Sequence, residues 1–166
     1  MMRSLSARLA PVLALLALGA CDSPFTSNGD DVQRGRLSDA RALWTSRNVP
    51  SYSYVVELDC FCASASALEP VRVTVANGAV VSRTYVQDED DTGPPRPAPD
   101  SLFGDYDTVN DLFEYVDDQV RGSPAVLNVS YDPAFGFPNL IAVDPSGNTP
   151  NDQRIVLVSS FAAAGS

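Results

Sequence analysis

From residue 38 onward, apolar and polar positions alternate between helical and extended spacing. Ala40, Leu43 and Trp44 recur at helical intervals behind Ser38, a good N-cap, with Asp39 in the first turn. Asn48 and Pro50 stop the run, so the spacing predicts a first helix over 39–47. Tyr52, Tyr54, Val56, Leu58 and Cys60 then share one face of an extended stretch, with Ser53, Val55, Glu57 and Asp59 on the other. Residues 71–86 are rich in β-formers on both sides of Asn77-Gly78, the pair that suits a two-residue hairpin turn. That turn pairs Val75 with Val80, Val73 with Ser82 and Arg72 with Arg83. Two arginines face to face need an acid nearby, and Glu57 and Asp59 are the candidates.

Residues 87–107 break the pattern with four acids, Asp88 to Asp91, followed by Pro94, Pro95, Pro97 and Pro99. Neither a helix nor a central strand tolerates such a run, so 87–107 reads as a linker, with nothing to bury from Asp88 to Pro99. Thr108 and Asp111 then resemble a capping box, ahead of Val109, Leu112, Phe113, Val116 and Val120 at helical spacing. A helix over 109–121 ends at Gly122. Three strands follow, at 126–132, 138–144 and 153–161, the first with Leu127, Val129 and Tyr131 on one face. The fold class expected is α+β: an antiparallel sheet of about six strands, with two helices packed on one face. Helix plus three strands occurs twice, but the halves share little sequence and do not suggest a duplication.

The N-terminus carries a different pattern. Arg3 and Arg8 precede an apolar run from Leu9 to Leu18, which is followed by Gly19 and Ala20. That run is too short to cross a bilayer, which takes roughly 20 residues. Leu18-Gly19-Ala20-Cys21 resembles the lipobox of bacterial lipoproteins. The resemblance implies cleavage before Cys21, acylation of its thiol and a membrane as partner through that lipid. Several acyl chains hold firmly, at about 0.8 kcal/mol per buried CH₂. The expected organisation is a signal peptide at 1–20, the lipidated Cys21 with a flexible tether at 21–37, and one domain at 38–162. The expected place is the cell envelope, outside the cytoplasm; Asp22 leans toward the inner membrane without deciding it.

Composition narrows the chemistry. The chain has 166 residues with 11 basic side chains, all Arg, against 21 acidic ones. Arg3 and Arg8 leave with the signal peptide, so nine positive charges face 21 negative ones and the mature net charge is −12. Such a surface repels phosphate backbones, so no nucleic-acid partner is expected. The chain has no His, which removes Ser-His-Asp and Cys-His catalysis and His-bound zinc.

With Cys21 taken by lipid, Cys60 and Cys62 form a pair in an oxidising compartment. A disulfide between them requires a kink at Phe61, because alternate residues of an ideal strand lie at the upper edge of disulfide geometry. A redox or Cu(I)-binding pair is the competing reading. Asp88-x-Asp90-x-Thr92-Gly93 matches half of a calcium loop, but Pro99 stands where a bidentate Glu is needed, so no metal is expected. In Tyr131-Asp132-Pro133-Ala134-Phe135-Gly136-Phe137-Pro138, Phe135 and Phe137 either fold over a hairpin turn or stand exposed as partner contacts. Asp132 and Asp144 flank the same hairpin.

The early Ala-Leu-Trp helix, Tyr52-Ser53-Tyr54, Cys60-Phe61-Cys62, Asn77-Gly78, Leu112-Phe113 and the 131–138 run resemble an uncharacterised family of secreted bacterial proteins. That resemblance implies one α+β domain in the envelope and no known activity or cofactor. The function expected is a non-catalytic binding or interaction module, meeting an envelope protein or a small ligand. Two alternatives stand: a thiol redox or copper-handling protein using Cys60 and Cys62, and a carboxylate-based hydrolase.

Overall fold

The computed structural model describes residues 29–61, 69–88, 90–149 and 151–164. Its elements run α1 (Gly29–Arg47), β1 (Tyr52–Cys60), β2 (Val71–Ala76), β3 (Ala79–Tyr85), α2 (Asp100–Phe103), a 3₁₀ turn (Gly104–Tyr106), α3 (Val109–Gly122), β4 (Val126–Tyr131), β5 (Pro138–Asp144) and β6 (Arg154–Ala163). The six strands make one antiparallel sheet in the order β3-β2-β1-β6-β5-β4. The α+β class therefore stands, with two long helices on one face of a six-stranded sheet. The strand after α1 lies in the middle of the sheet and the strand after α3 at its edge, each at the same end of its own three-strand run.

The core lies between sheet and helices. Tyr54, Val56, Val71, Val73, Val129 and Ile141 from the strands meet Val109, Leu112 and Phe113 of α3, all fully enclosed. Each such side chain contributes roughly 1.5–3 kcal/mol by leaving water. α3 begins as its sequence indicates, with the Thr108–Asp111 capping box complete. Its left-handed end falls at Ser123, φ 48°, one residue beyond Gly122.

α1 starts ten residues earlier than expected, so the described part of the supposed tether, 29–37, is helical. Leu37, Ala40 and Trp44 form the buried stripe. Gln33 continues that stripe one turn upstream with a polar side chain, which hydrophobic periodicity does not register. Its Nε2 donates to the Leu127 carbonyl at 3.2 Å, and Arg36 donates to the Val129 carbonyl at 2.9 Å. Both carbonyls belong to β4, the edge strand.

Three shifts reset the registers, one of them in the β4–β5 ladder between Ser130 and Tyr131. In the β2–β3 hairpin Asn77 and Gly78 take φ of 51° and 78°, and Val75 pairs with Val80 as expected. Val81 is then left over, so Thr74 faces Ser82, Val73 faces Arg83 and Arg72 faces Thr84. The expected pairing of Arg72 with Arg83 does not form, because the extra residue moves Arg83 to the inner face. In β6, Ser160 at φ 52° is the bulge residue opposite Tyr54. It turns Phe161 inward, where it packs on Trp44, Tyr52, Phe135 and Phe137.

Candidate functional site

The 131–138 run is a clamp between the β4–β5 turn and α1. Asp132 Oδ1 accepts from the backbone N–H of Ala134 (2.9 Å) and Phe135 (2.8 Å). The Asp132 N–H donates to the Phe137 carbonyl, and the Gly136 N–H to the Asp132 carbonyl, both at 2.8 Å. Arg47 Nε donates to the Ala134 carbonyl at 2.6 Å. Gly136, at φ 86°, lies so close to α1 that a Cβ would run into the Ala40 carbonyl oxygen and reach the Trp44 nitrogen at 3.1 Å. Tyr131 lies under the Arg36 guanidinium, 5.9 Å from the ring centre. Burial pushes its phenol up to about 12, against the pull of Arg36 and Arg41.

Phe137 is 3% exposed and stacks on Phe161 at 4.6 Å between ring centres. Phe135 is half-buried and packs on the same ring at 5.0 Å. The reading of these two as exposed partner contacts is corrected accordingly: their rings close the core over the bulge. Asp132 and Asp144 also part company. Asp132 caps the turn at one end of the β4–β5 ladder, whereas Asp144 pairs with Val126 at the other, so they share no cleft.

The linker is a strap along the β3 edge. Tyr85 N–H donates to the Arg96 carbonyl (2.9 Å), Ala98 N–H donates to the Arg83 carbonyl (3.1 Å), and Thr84 bridges to Pro97. Proline tolerates this place because the side without an N–H faces outward. Ala98, Phe103, Tyr106 and Asp107 are all buried. The expectation that 88–99 has nothing to bury fails at Ala98, and the remainder of the linker supplies two aromatic rings, Phe103 and Tyr106, to the core. Its first half stays exposed: Asp91 accepts from Gly93 N–H at 2.9 Å, which holds its carboxyl below the usual range. Among the described residues no group of three potential metal ligands converges there or elsewhere.

Arg83 fastens the strap. Its guanidinium donates through Nε and Nη2 to the two carboxylate oxygens of Asp107, and through Nη1 to Asp100 at 2.6 Å. Hydrogen bonding to Asp107 raises the Arg83 pKa against the opposing effect of burial. Thus Asp107 and Asp100, rather than Glu57 and Asp59, are the acids that answer Arg83. Beside them the Tyr54 hydroxyl donates to the Tyr106 carbonyl, and the Tyr52 hydroxyl accepts from Val109 N–H at 3.0 Å. Burial holds both phenols above their ordinary range, Tyr54 well above it.

At the far end of β1, Cys60 is disulfide-bonded. Its expected partner Cys62 lies outside the described residues, as does Cys21. Arg154 stands directly across from Cys60. Burial works against the charge of Arg154, but hydrogen bonds and the field of Tyr106 and Tyr115 keep its pKa raised. A cleft of about 420 Å³ lined by Asp59, Cys60, Phe61, Asn151, Gln153 and Ile155 opens at this end.

The sheet face turned away from the helices carries Val55 on β1, Ile155 and Leu157 on β6, and Leu140 and Ala142 on β5. Leu157 sits between Glu57 and Leu140, and Ile155 between Asp59 and Ala142. Leu157 is 38% exposed. Among the described residues no helix lies over this face. A second groove, about 680 Å³, runs along α1 and is lined by Leu37, Arg34, Arg41 and Asp117. Its charges are already engaged: Arg34 with Asp31, Asp117 with Arg121, and Arg41 over the Phe113 ring.

Residues 36–163 match the model of a family of unknown function, DUF6174. The chain belongs to this family. No curated protein and no solved structure matches it. The DUF6174 span takes in the clamp, the strap and the bare sheet face, and it begins partway along α1, at Arg36. No helix among the described residues is long and apolar enough to cross a membrane. Periodicity picked out the inner face correctly. It missed the polar contacts that close the sheet edges, because Gln33, Arg36 and Pro97 act through hydrogen bonds and backbone, which leave no apolar trace.

Proposed function

We propose that this chain is an envelope lipoprotein, anchored through Cys21, whose DUF6174 domain is a non-catalytic binding module. The observation that supports the binding role is the uncovered sheet face around Leu157. An antiparallel sheet facing water normally presents polar side chains outward. Here Leu157, Ile155, Leu140 and Ala142 adjoin one another in its centre, with Glu57, Asp59, Asn128 and Ser130 around them. An apolar centre with a polar rim is the usual build of a contact surface. The partner is an envelope protein or a small ligand with a flat apolar face.

Two measurements test this reading. Cys21→Ser should release the protein from the membrane fraction without altering its thermal melt; retention in the pellet, with no lipid mass on the native protein, contradicts the anchor. The native protein should form a discrete cross-linked adduct in intact cells, and Leu157→Arg should abolish it while leaving the melt unchanged. An adduct undiminished by Leu157→Arg contradicts the face.

The position of Arg154 favours one second reading. Arg154 is the cross-strand partner of Cys60, and its guanidinium, held by Tyr106 and Tyr115, would have to swing toward the sulfur to stabilise a thiolate released from the disulfide, as a redox or copper-handling role requires. Alkylation of the intact protein separates the readings. A structural bridge leaves no thiol to alkylate without reductant, and its reduction potential lies below about −300 mV. Free thiols in the untreated protein, or Cu(I) binding lost on changing Cys60 and Cys62 to Ala, favour the redox or copper role.

A further inference from the structure

The start of α1 and the end of β1 share one end of the domain. α1 runs alongside β4: Gln33 reaches Leu127, Arg36 reaches Val129 and Arg47 reaches Ala134. Its first turn therefore lies beside the beginning of β4, where Ser123 Oγ bonds Asp30 at 3.3 Å. Across the sheet the same end passes from Val126 to Asp144, from Val143 to Arg154, and from Arg154 to Cys60. Phe61 follows and is 81% exposed. The opposite end carries the Asn77-Gly78 turn and the clamp at 132–137.

Cys21 precedes Gly29 by eight residues. A flexible segment of that length spans about 15 Å. α1 has 19 residues and is about 28 Å long, so the far end lies roughly two tether spans beyond the near one. Residues 62–68, next to Phe61, carry no charged side chain.

We propose that the Phe61 end of the domain faces the bilayer and that Phe61 contacts the lipid headgroup–acyl boundary. The inference rests on lipidation of Cys21. An aromatic ring held within tether reach of a lipid surface gains by entering that boundary, where rings are enriched in membrane proteins. The arrangement also points the 77–78 turn and the clamp away from the membrane.

The test uses the full lipidated chain in zwitterionic vesicles with lipids brominated near the top of the acyl chain. Phe61→Trp and Val81→Trp each add one indole at an exposed position, Val81 being 61% exposed near the opposite end. Trp44, the single native tryptophan, is buried and supplies a common background. The added emission of Phe61→Trp should be quenched at least threefold more than that of Val81→Trp. Equal quenching, or stronger quenching of Val81→Trp, overturns the proposal while leaving the anchor intact. Vesicle flotation and intact mass read the anchor separately: native protein that does not float and carries no lipid overturns both.

Discussion

At the β4 edge of the sheet a helix leans over and caps the strand with two side chains, Gln33 and Arg36. At the β3 edge the cap is main chain, a proline-rich strap that adds hydrogen bonds at Tyr85 and Ala98 and is fastened by Arg83. Open strands template aggregation, and each edge here is covered. The two means differ in what holds them. The β4 cap depends on how closely α1 can approach the sheet, which Gly136 sets. The β3 cap depends on a mostly buried ion pair. A binding partner is thereby left the broad face rather than an edge.

Substitutions should separate the two caps, and the largest loss is expected where α1 is seated. Gly136→Ala puts a methyl group against the Ala40 carbonyl at a φ that L-residues avoid. It should cost at least about 3 kcal/mol in urea unfolding. At the other edge, Arg83→Ala strands the Asp107 carboxylate, whose side chain is 9% exposed, and should cost about 3 kcal/mol. Asp100 is 81% exposed, so Asp100→Ala should cost less than about 0.5 kcal/mol, although it touches the same guanidinium. Equal losses for these two would mean that the strap is not held by burial of the Asp107 pair.

Base should loosen the region under the strap. Tyr52, Tyr54 and Tyr106 are buried, and burial raises all three phenols above 10. A phenol whose folded pKa exceeds its unfolded value contributes fully below the unfolded value. That contribution is lost as pH climbs from about 10 toward the folded value. Melts at pH 8 to 11 should therefore fall above pH 10. Tyr54→Phe should lessen the fall by about 1 kcal/mol at pH 11.

Smaller effects complete the comparison. Arg36→Ala should cost about 1 kcal/mol and, by exposing the β4 carbonyls, promote self-association in sedimentation velocity. Shortening residues 88–94 while keeping Arg96 to Ala98 should change stability by less than about 0.6 kcal/mol. A large loss there would show that the acidic half of the strap also bears on the fold.

The inner face was legible because burial writes period 2 and period 3.6 directly into the chain. β1 and α3 follow their patterns closely, down to the capping box at Thr108. Register was less legible, since the extra residue Val81 has no sequence signal in a run of β-formers, yet it decides where Arg83 points. The prolines at 94–99 correctly exclude a helix and a central strand. They say nothing against an edge strap, and the burial of Phe103 and Tyr106 arises from residues that the linker reading passed over. In the 131–138 run the reading of aromatics folded over a hairpin turn agrees with the structure, and the alternative of exposed partner contacts does not. Its glycine and aromatics serve the seating of α1, and neither of the phenylalanines is an exposed tip. The sheet face around Leu157 followed from the alternation in β6 only once the pairing of β1, β6 and β5 placed its neighbours.

The central claim is that contact is made through that face while both edges stay closed. A photo-activatable phenylalanine analogue placed singly at Leu157 and at Ser82 on β3, in lipidated protein in intact cells, tests it most directly. A discrete adduct at Leu157, with none at Ser82, is the result predicted. An adduct at Ser82, with none at Leu157, would contradict it.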